Sequence, residues 1–112
     1  MNQPTPLPVP RSQAARATTA DLVRWRSLDA LHALGILADY VKEDATFKPT
    51  HSTSTRRVHT TAAGSDWELL LDGTKFYDTR AQKGGGGAID LVMHLWRVPF
   101  RKAVLMLRRA EA

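Results

Sequence analysis

The sequence predicts an α+β domain: an N-terminal helix, a three-stranded antiparallel sheet, then two C-terminal helices. Three observations carry this. Residues 28–44, "LDALHALGILADYVKED", place Leu28, Leu31, Leu34, Leu37 and Val41 at the three-and-four spacing of one buried helix face. Three segments rich in β-branched and aromatic residues follow, the last two joined by Asp72-Gly73, a dipeptide that accepts the positive φ of a tight hairpin. Two further apolar patterns of helical period close the chain, separated by Pro99.

The elements run in order from a proline-rich start. Residues 1–18 hold four prolines and no apolar stretch of signal or membrane-span length, so they read as a flexible tail ahead of one domain over 19–112. Thr18 or Thr19 can cap a short helical start over 20–27, with Asp21 near its positive end, and Ser27 is a cap candidate for the longer helix. Gly35 weakens that helix and marks a break or a close approach. Residues 45–57 read as a loop, because Pro49 and a cluster of Ser and Thr compete with regular backbone pairing. Strands are expected over 56–61, 66–72 and 74–79.

The stretch 83–100, "KGGGGAIDLVMHLWRVPF", raises the question of a phosphate cradle. A Walker loop needs Lys and Ser or Thr after its glycines, and a dinucleotide fingerprint needs a parallel βαβ unit; neither context is present. The run therefore reads as a structural linker whose open amides at a helix start can still attract an anion. Helix 88–97 then turns Ile89, Val92, Met93 and Trp96 to one side, with Trp96 expected between helix and sheet. The last helix is expected to bury Phe100, Ala103, Val104 and Leu107.

Composition narrows the function. With no Cys there is no disulfide, thiolate metal ligand or Cys nucleophile, which is compatible with a reducing, cytoplasmic setting. The net charge of +5 favours a polyanionic partner, and residues 51–112 carry most of it, ten basic against six acidic. No Asp-x-Asp pair and no Gly-x-Ser-x-Gly elbow occurs, so no catalytic constellation is legible and the domain reads as non-catalytic. His32, His59 and His94 lie on different elements and read as surface or capping histidines, while Asp66, Glu68, Asp72 and Asp78 read as turn and strand-face acids.

The succession "ILADYVKED", "KPTH", an aromatic hairpin strand and "GGGGAIDLVMHL" followed by "VPFRKAVLML" resembles the zinc-binding domain of bacterial-type DNA primases, over roughly residues 30–109. It is similar also to the module that precedes a Toprim domain in primase-like proteins of plasmids and other mobile elements. The resemblance implies a zinc-ribbon-like fold, but its ligand pairs would fall at Lys48 to His51 and at Thr79 to Gln82, where only His51 could bind zinc. No zinc and no other cofactor is therefore expected. Core residues, Trp67, Leu69, Leu71, Phe76, Ile89, Val92 and Trp96, are expected to supply the stability instead.

What the resemblance implies about function is a zinc-finger-like DNA-binding module of a replication protein, contacting single-stranded DNA or RNA, with any Toprim catalysis outside this chain. A primase, Toprim protein or helicase is the implied protein partner, and no membrane is expected. Candidate nucleic-acid contacts are Arg56, Arg57 and His59 on the first predicted strand, Lys75 and Tyr77 on the third, Arg80 and Lys83 beyond it, and Arg101 and Lys102 on the last helix. Alternation puts Lys75 and Tyr77 on one side and Phe76 on the other. The alternatives are a protein-interaction module docking a replication or conjugation partner through its C-terminal helices, with Leu105 and Met106 of the last helix as the docking positions, and a stand-alone regulator that captures DNA or RNA through charge only.

Overall fold

The structure, a computed structural model, describes residues 17–50 and 52–112. Residues 1–16 of the expected tail, and His51, lie outside the described residues. Thr18 is the helix cap: its hydroxyl accepts from Asp21 N–H and the Asp21 carboxylate accepts from Thr18 N–H, a reciprocal capping box that starts α1, Thr19–Arg26. A second helix, α2, spans Ala30–Leu37 and is capped by Asp29 rather than Ser27. Gly35 neither breaks it nor admits a close neighbour, since a Cβ there would meet open space.

The sheet corrects the expected three strands: five are present among the described residues. They are β1 Tyr40–Glu43, β2 Arg56–Ala62, β3 Ser65–Asp72, β4 Lys75–Asp78 and β5 Lys83–Gly86, an antiparallel meander in the order β1-β2-β3-β4-β5. β1 lies inside the segment expected to be helical. Val41 keeps the helical spacing from Leu37, but Ala38 is already extended and Asp39 N–H donates to Thr61 O, so cross-strand pairing overrides the period. β5 takes three of the four glycines, Gly84 to Gly86, which thus form an edge strand and not a linker, while Gly87 is the N-cap of the helix that follows.

Two hairpins set the register. Gly73, at φ 58°, closes β3 onto β4 as the sequence indicates, and Ala63 and Gly64, both at positive φ, close β2 onto β3. Helices α3, Ala88–Trp96, and α4, Phe100–Arg109, follow, joined by three residues in which Arg97 adopts a left-handed conformation. Among the described residues no helix is long and apolar enough to cross a membrane.

The core lies between one sheet face and the helices, with Trp25, Leu34, Val58, Leu69, Leu91, Val92, Leu95, Val104 and Leu107 essentially inaccessible. Leu69, Leu71, Phe76, Ile89 and Val92 are buried as expected, whereas Trp67 and Trp96 only pack partly against them. One expectation fails outright and one, the full burial of Trp96, only in degree. Phe100 is exposed, and the fully enclosed tryptophan is Trp25, whose indole N–H donates to Ala112 O at 3.0 Å and so ties α1 to the end of the described chain. Arg24 donates to the same oxygen.

Candidate nucleic-acid interface

Strand alternation sorts the sheet residues into two faces. Val58, Thr60, Ala62, Leu69, Leu71, Phe76 and Asp78 point toward the helices and are buried. The other face carries Tyr40 and Lys42 on β1, Arg57, His59 and Thr61 on β2, Asp66, Glu68 and Leu70 on β3, and Lys75 and Tyr77 on β4. All are exposed or half-buried.

Register aligns four of these positions in one row across the sheet: Arg57 opposite Leu70, Leu70 opposite Tyr77, and Tyr77 opposite Gly84. Tyr77 is 42% exposed, and its ring edge leans over Gly84, where an added Cβ would come within 3.0 Å of Tyr77 Cδ1. Beside it is a shallow, largely apolar groove of about 390 Å³ lined by Thr55, Leu70, Asp72, Lys75 and Tyr77 together with Leu71, Phe76 and Gly85 of the helix-facing register. A flat aromatic face next to an apolar floor and one lysine can take a nucleobase by stacking, with the ammonium near its phosphate. Tyr40 is a second exposed ring on this face, at 53%. It stands diagonally across from Tyr77, three strands over and four residues along, about 20 Å away by sheet spacing.

The face is not a basic stripe. Arg57 is held by Asp44, with Oδ2 accepting from Nη2 at 2.6 Å and from Nε at 3.0 Å, and its guanidinium lies 5.2 Å over the Phe47 ring. Hydrogen bonds from Thr46 and then from Arg57 keep the Asp44 carboxyl well below the usual range. Asp72 is likewise lowered, first by Ser54 and with help from Thr55. His59 faces Glu68 at 3.7 Å. Lys42 and Lys75 make no ion pair among the described residues.

The predicted contacts therefore divide. Arg57, His59, Lys75 and Tyr77 share the open face. Arg56 and Lys83 do not, because their register partners Leu71 and Asp78 belong to the helix-facing side; Arg56 instead pairs with Glu43 at 2.9 Å. Arg80 sits in the turn between β4 and β5, and Arg101 and Lys102 lie in the first turn of α4. Leu105 and Met106 are half-buried, so α4 presents no open apolar stripe. Sequence reasoning missed Tyr40, because it fell within the predicted helix; the β-favouring pair Tyr40-Val41 was the available signal.

His94 and Asp78 also depart from expectation. The pair is internal: His94 Nε2 lies 2.8 Å from Asp78 Oδ2, with His94 flanked by the Trp67 and Phe76 rings at 5.8 and 5.5 Å. Asp78 also accepts from Arg80 and Ala81 N–H, fixing the turn. Burial pushes its carboxyl up, but His94 and these two N–H groups together bring it below the ordinary value. The pair thus anchors α3 to the β4–β5 turn.

The described residues of the two stretches matched to ligand pairs lie on different connections. The loop holding Lys48, Pro49 and Thr50 leaves and rejoins the sheet at the Asp72 end, where Ser54 and Thr55 donate to Asp72. The turn from Thr79 to Gln82 joins β4 to β5 at the other end. Among the described residues no three His, Asp or Glu side chains cluster so as to hold an ion.

These features define a small α+β domain with one face of its sheet open. No family model matches the chain, and no solved structure matches it. It is 49% identical over 41 residues to a protein of Zymomonas mobilis subsp. mobilis described as a 65 kDa protein, a stretch amounting to 37% of this chain and 7% of that one. The likeness covers a small part of a much longer protein.

Proposed function

We propose that this domain is a non-catalytic module that binds single-stranded nucleic acid on its open sheet face, within a primase-like replication protein of a plasmid or other mobile element. The observation that carries the binding reading is Tyr77, 42% exposed and close over Gly84 beside the largely apolar groove that Leu70 and Lys75 help to line. The replication setting rests on the resemblance of residues 30–109 to primase modules. Catalysis then belongs to other parts of the machinery.

Stacking on an aromatic side chain is worth about 1–3 kcal/mol per base, so Tyr77→Ala is expected to weaken binding of labelled oligothymidine by roughly 5- to 150-fold. Lys75→Gln is expected to reduce the slope of log K against log salt by about 0.7. Fluorescence anisotropy at low and moderate salt measures both. Absence of binding at low salt, or affinity unchanged by Tyr77→Ala, overturns the reading.

A further inference from the structure

The net charge of the chain does not reside where the proposed single-strand site lies. Residues 51–96 balance five basic residues against five acidic ones. Residues 97–112 hold Arg97, Arg101, Lys102, Arg108 and Arg109 against Glu111 alone, so +4 of the chain's +5 is carried by α4 and its flanks. The open sheet face has no such excess: Lys42, Arg57 and Lys75 are met there by Asp66, Glu68 and Asp72.

Structure places this charge on α4 and its two flanks. α4 buries Ala103, Val104 and Leu107, and at 100° per residue Lys102 and Arg109 stand opposite that stripe, two turns and about 10 Å apart. Arg101 stands about a quarter turn round the helix from them, and Arg97 lies in the connection just before the helix. These four side chains are exposed and form no ion pair among the described residues. Arg108 is committed inward, donating to Asp21 at 3.2 Å. α4 is an outer element: it packs on α3, and its C-terminal end reaches α1 through Arg108 and Ala112.

We propose that Arg97, Arg101, Lys102 and Arg109 form a second nucleic-acid surface that binds the phosphate backbone of duplex DNA, separate from the single-strand site on the open sheet face. Charge complementarity selects the partner. A duplex carries one negative charge per ~1.7 Å of axis, and neutralising its phosphates releases counterions, so a row of unpaired cations suffices for binding. Single strands draw much of their affinity from stacking, and beyond Phe100 at its first position α4 presents no aromatic ring. This inference adds to the single-strand reading above, and the two fail separately.

The test measures anisotropy of a labelled blunt duplex and of labelled oligothymidine against the full chain, the R97Q/R101Q/K102Q/R109Q variant and Tyr77→Ala. All four changes are at exposed positions, and circular dichroism checks that each variant keeps its fold. The four-fold variant is expected to lose duplex binding and reduce the duplex salt slope by roughly 0.9 for each contact removed, while retaining oligothymidine. Tyr77→Ala is expected to do the reverse, and excess unlabelled oligothymidine should leave the duplex bound. Duplex affinity unchanged in the four-fold variant, or loss of both ligands together, overturns the second surface. Duplex binding without oligothymidine binding overturns the single-strand reading and leaves the α4 surface standing. Absence of both overturns both.

Discussion

A methyl group at Gly84 tests whether the glycine run is a strand. An ideal Cβ there would sit 2.7 Å from Phe76 O and 3.0 Å from Tyr77 Cδ1. Even a weak C–H···O contact holds carbon and oxygen about 3.3 Å apart or more, so the β4 carbonyl must retreat by ~0.6 Å, against the pairing that holds β4 to β3. Overpacking of this kind costs about 1–3 kcal/mol, offset by ~0.4–1 kcal/mol from restricting the unfolded chain. Gly84→Ala should therefore destabilise the domain by about 1–2 kcal/mol. Gly86→Ala is the internal control, because its Cβ would meet nothing closer than Lys75 Cγ at 4.0 Å and its φ is not positive. It should be neutral or stabilising by a few tenths of a kcal/mol up to ~1. Urea unfolding followed by tryptophan fluorescence separates the two variants. If Gly84→Ala is as stable as Gly86→Ala, β5 does not pair with β4 in this register and the run is a linker after all.

Two further outcomes follow from the packing. Trp25→Ala should cost about 3–5 kcal/mol, as a fully enclosed large side chain that also loses its bond to Ala112 O, and Trp96→Ala distinctly less; the reverse ranking in urea midpoints would contradict the placement of α1. Asp78 has its folded pKa below the unfolded value near ~3.9, so its contribution to stability is present above that pH and is lost as pH falls through the folded pKa. Asp78→Asn should accordingly be less stable than the parent at pH 7, with the gap closing in urea titrations taken below pH ~4; a gap independent of pH would refute the assignment.

What was legible in the sequence was local chemistry with a distinctive signature. Thr18 with Asp21, Asp72-Gly73, the alternation that buries Phe76 and exposes Tyr77, and Pro99 ahead of α4 each act within a few residues and appear as read. β1 and β5 escaped for opposite reasons. Tyr40 to Glu43 carry a helical spacing that only pairing with β2 defeats, and the glycines carry no β-propensity of their own. Gly84 and Gly85 are in a strand because they pair with Tyr77 and Phe76 of β4, and glycine suits those positions because Phe76, Tyr77 and Asp90 crowd the space a side chain would take. Tertiary packing wrote that strand, and propensity could not announce it.

The candidate site was legible in its aromatic part and not in its charges. Lys75 and Tyr77 needed only alternation to place them, whereas Arg56 and Arg57 are adjacent in sequence and fall on opposite faces, each claimed by an acid from beyond the loop: Glu43 for one, Asp44 for the other. A count of basic residues cannot distinguish a guanidinium that is already paired from one that is available. His94 and Asp78 illustrate the same limit, since sixteen residues separate two groups whose bond exists only once α3 lies against β4. After the paired and turned-away cations are removed, the open face retains stacking surfaces and little net charge, while four exposed cations outside any ion pair among the described residues, Arg97, Arg101, Lys102 and Arg109, lie on or just before α4. If both proposals hold, recognition by rings and attraction by phosphates occupy different surfaces of this fold, so the Tyr77 and α4 substitutions are expected to alter different ligands and not two parts of one affinity.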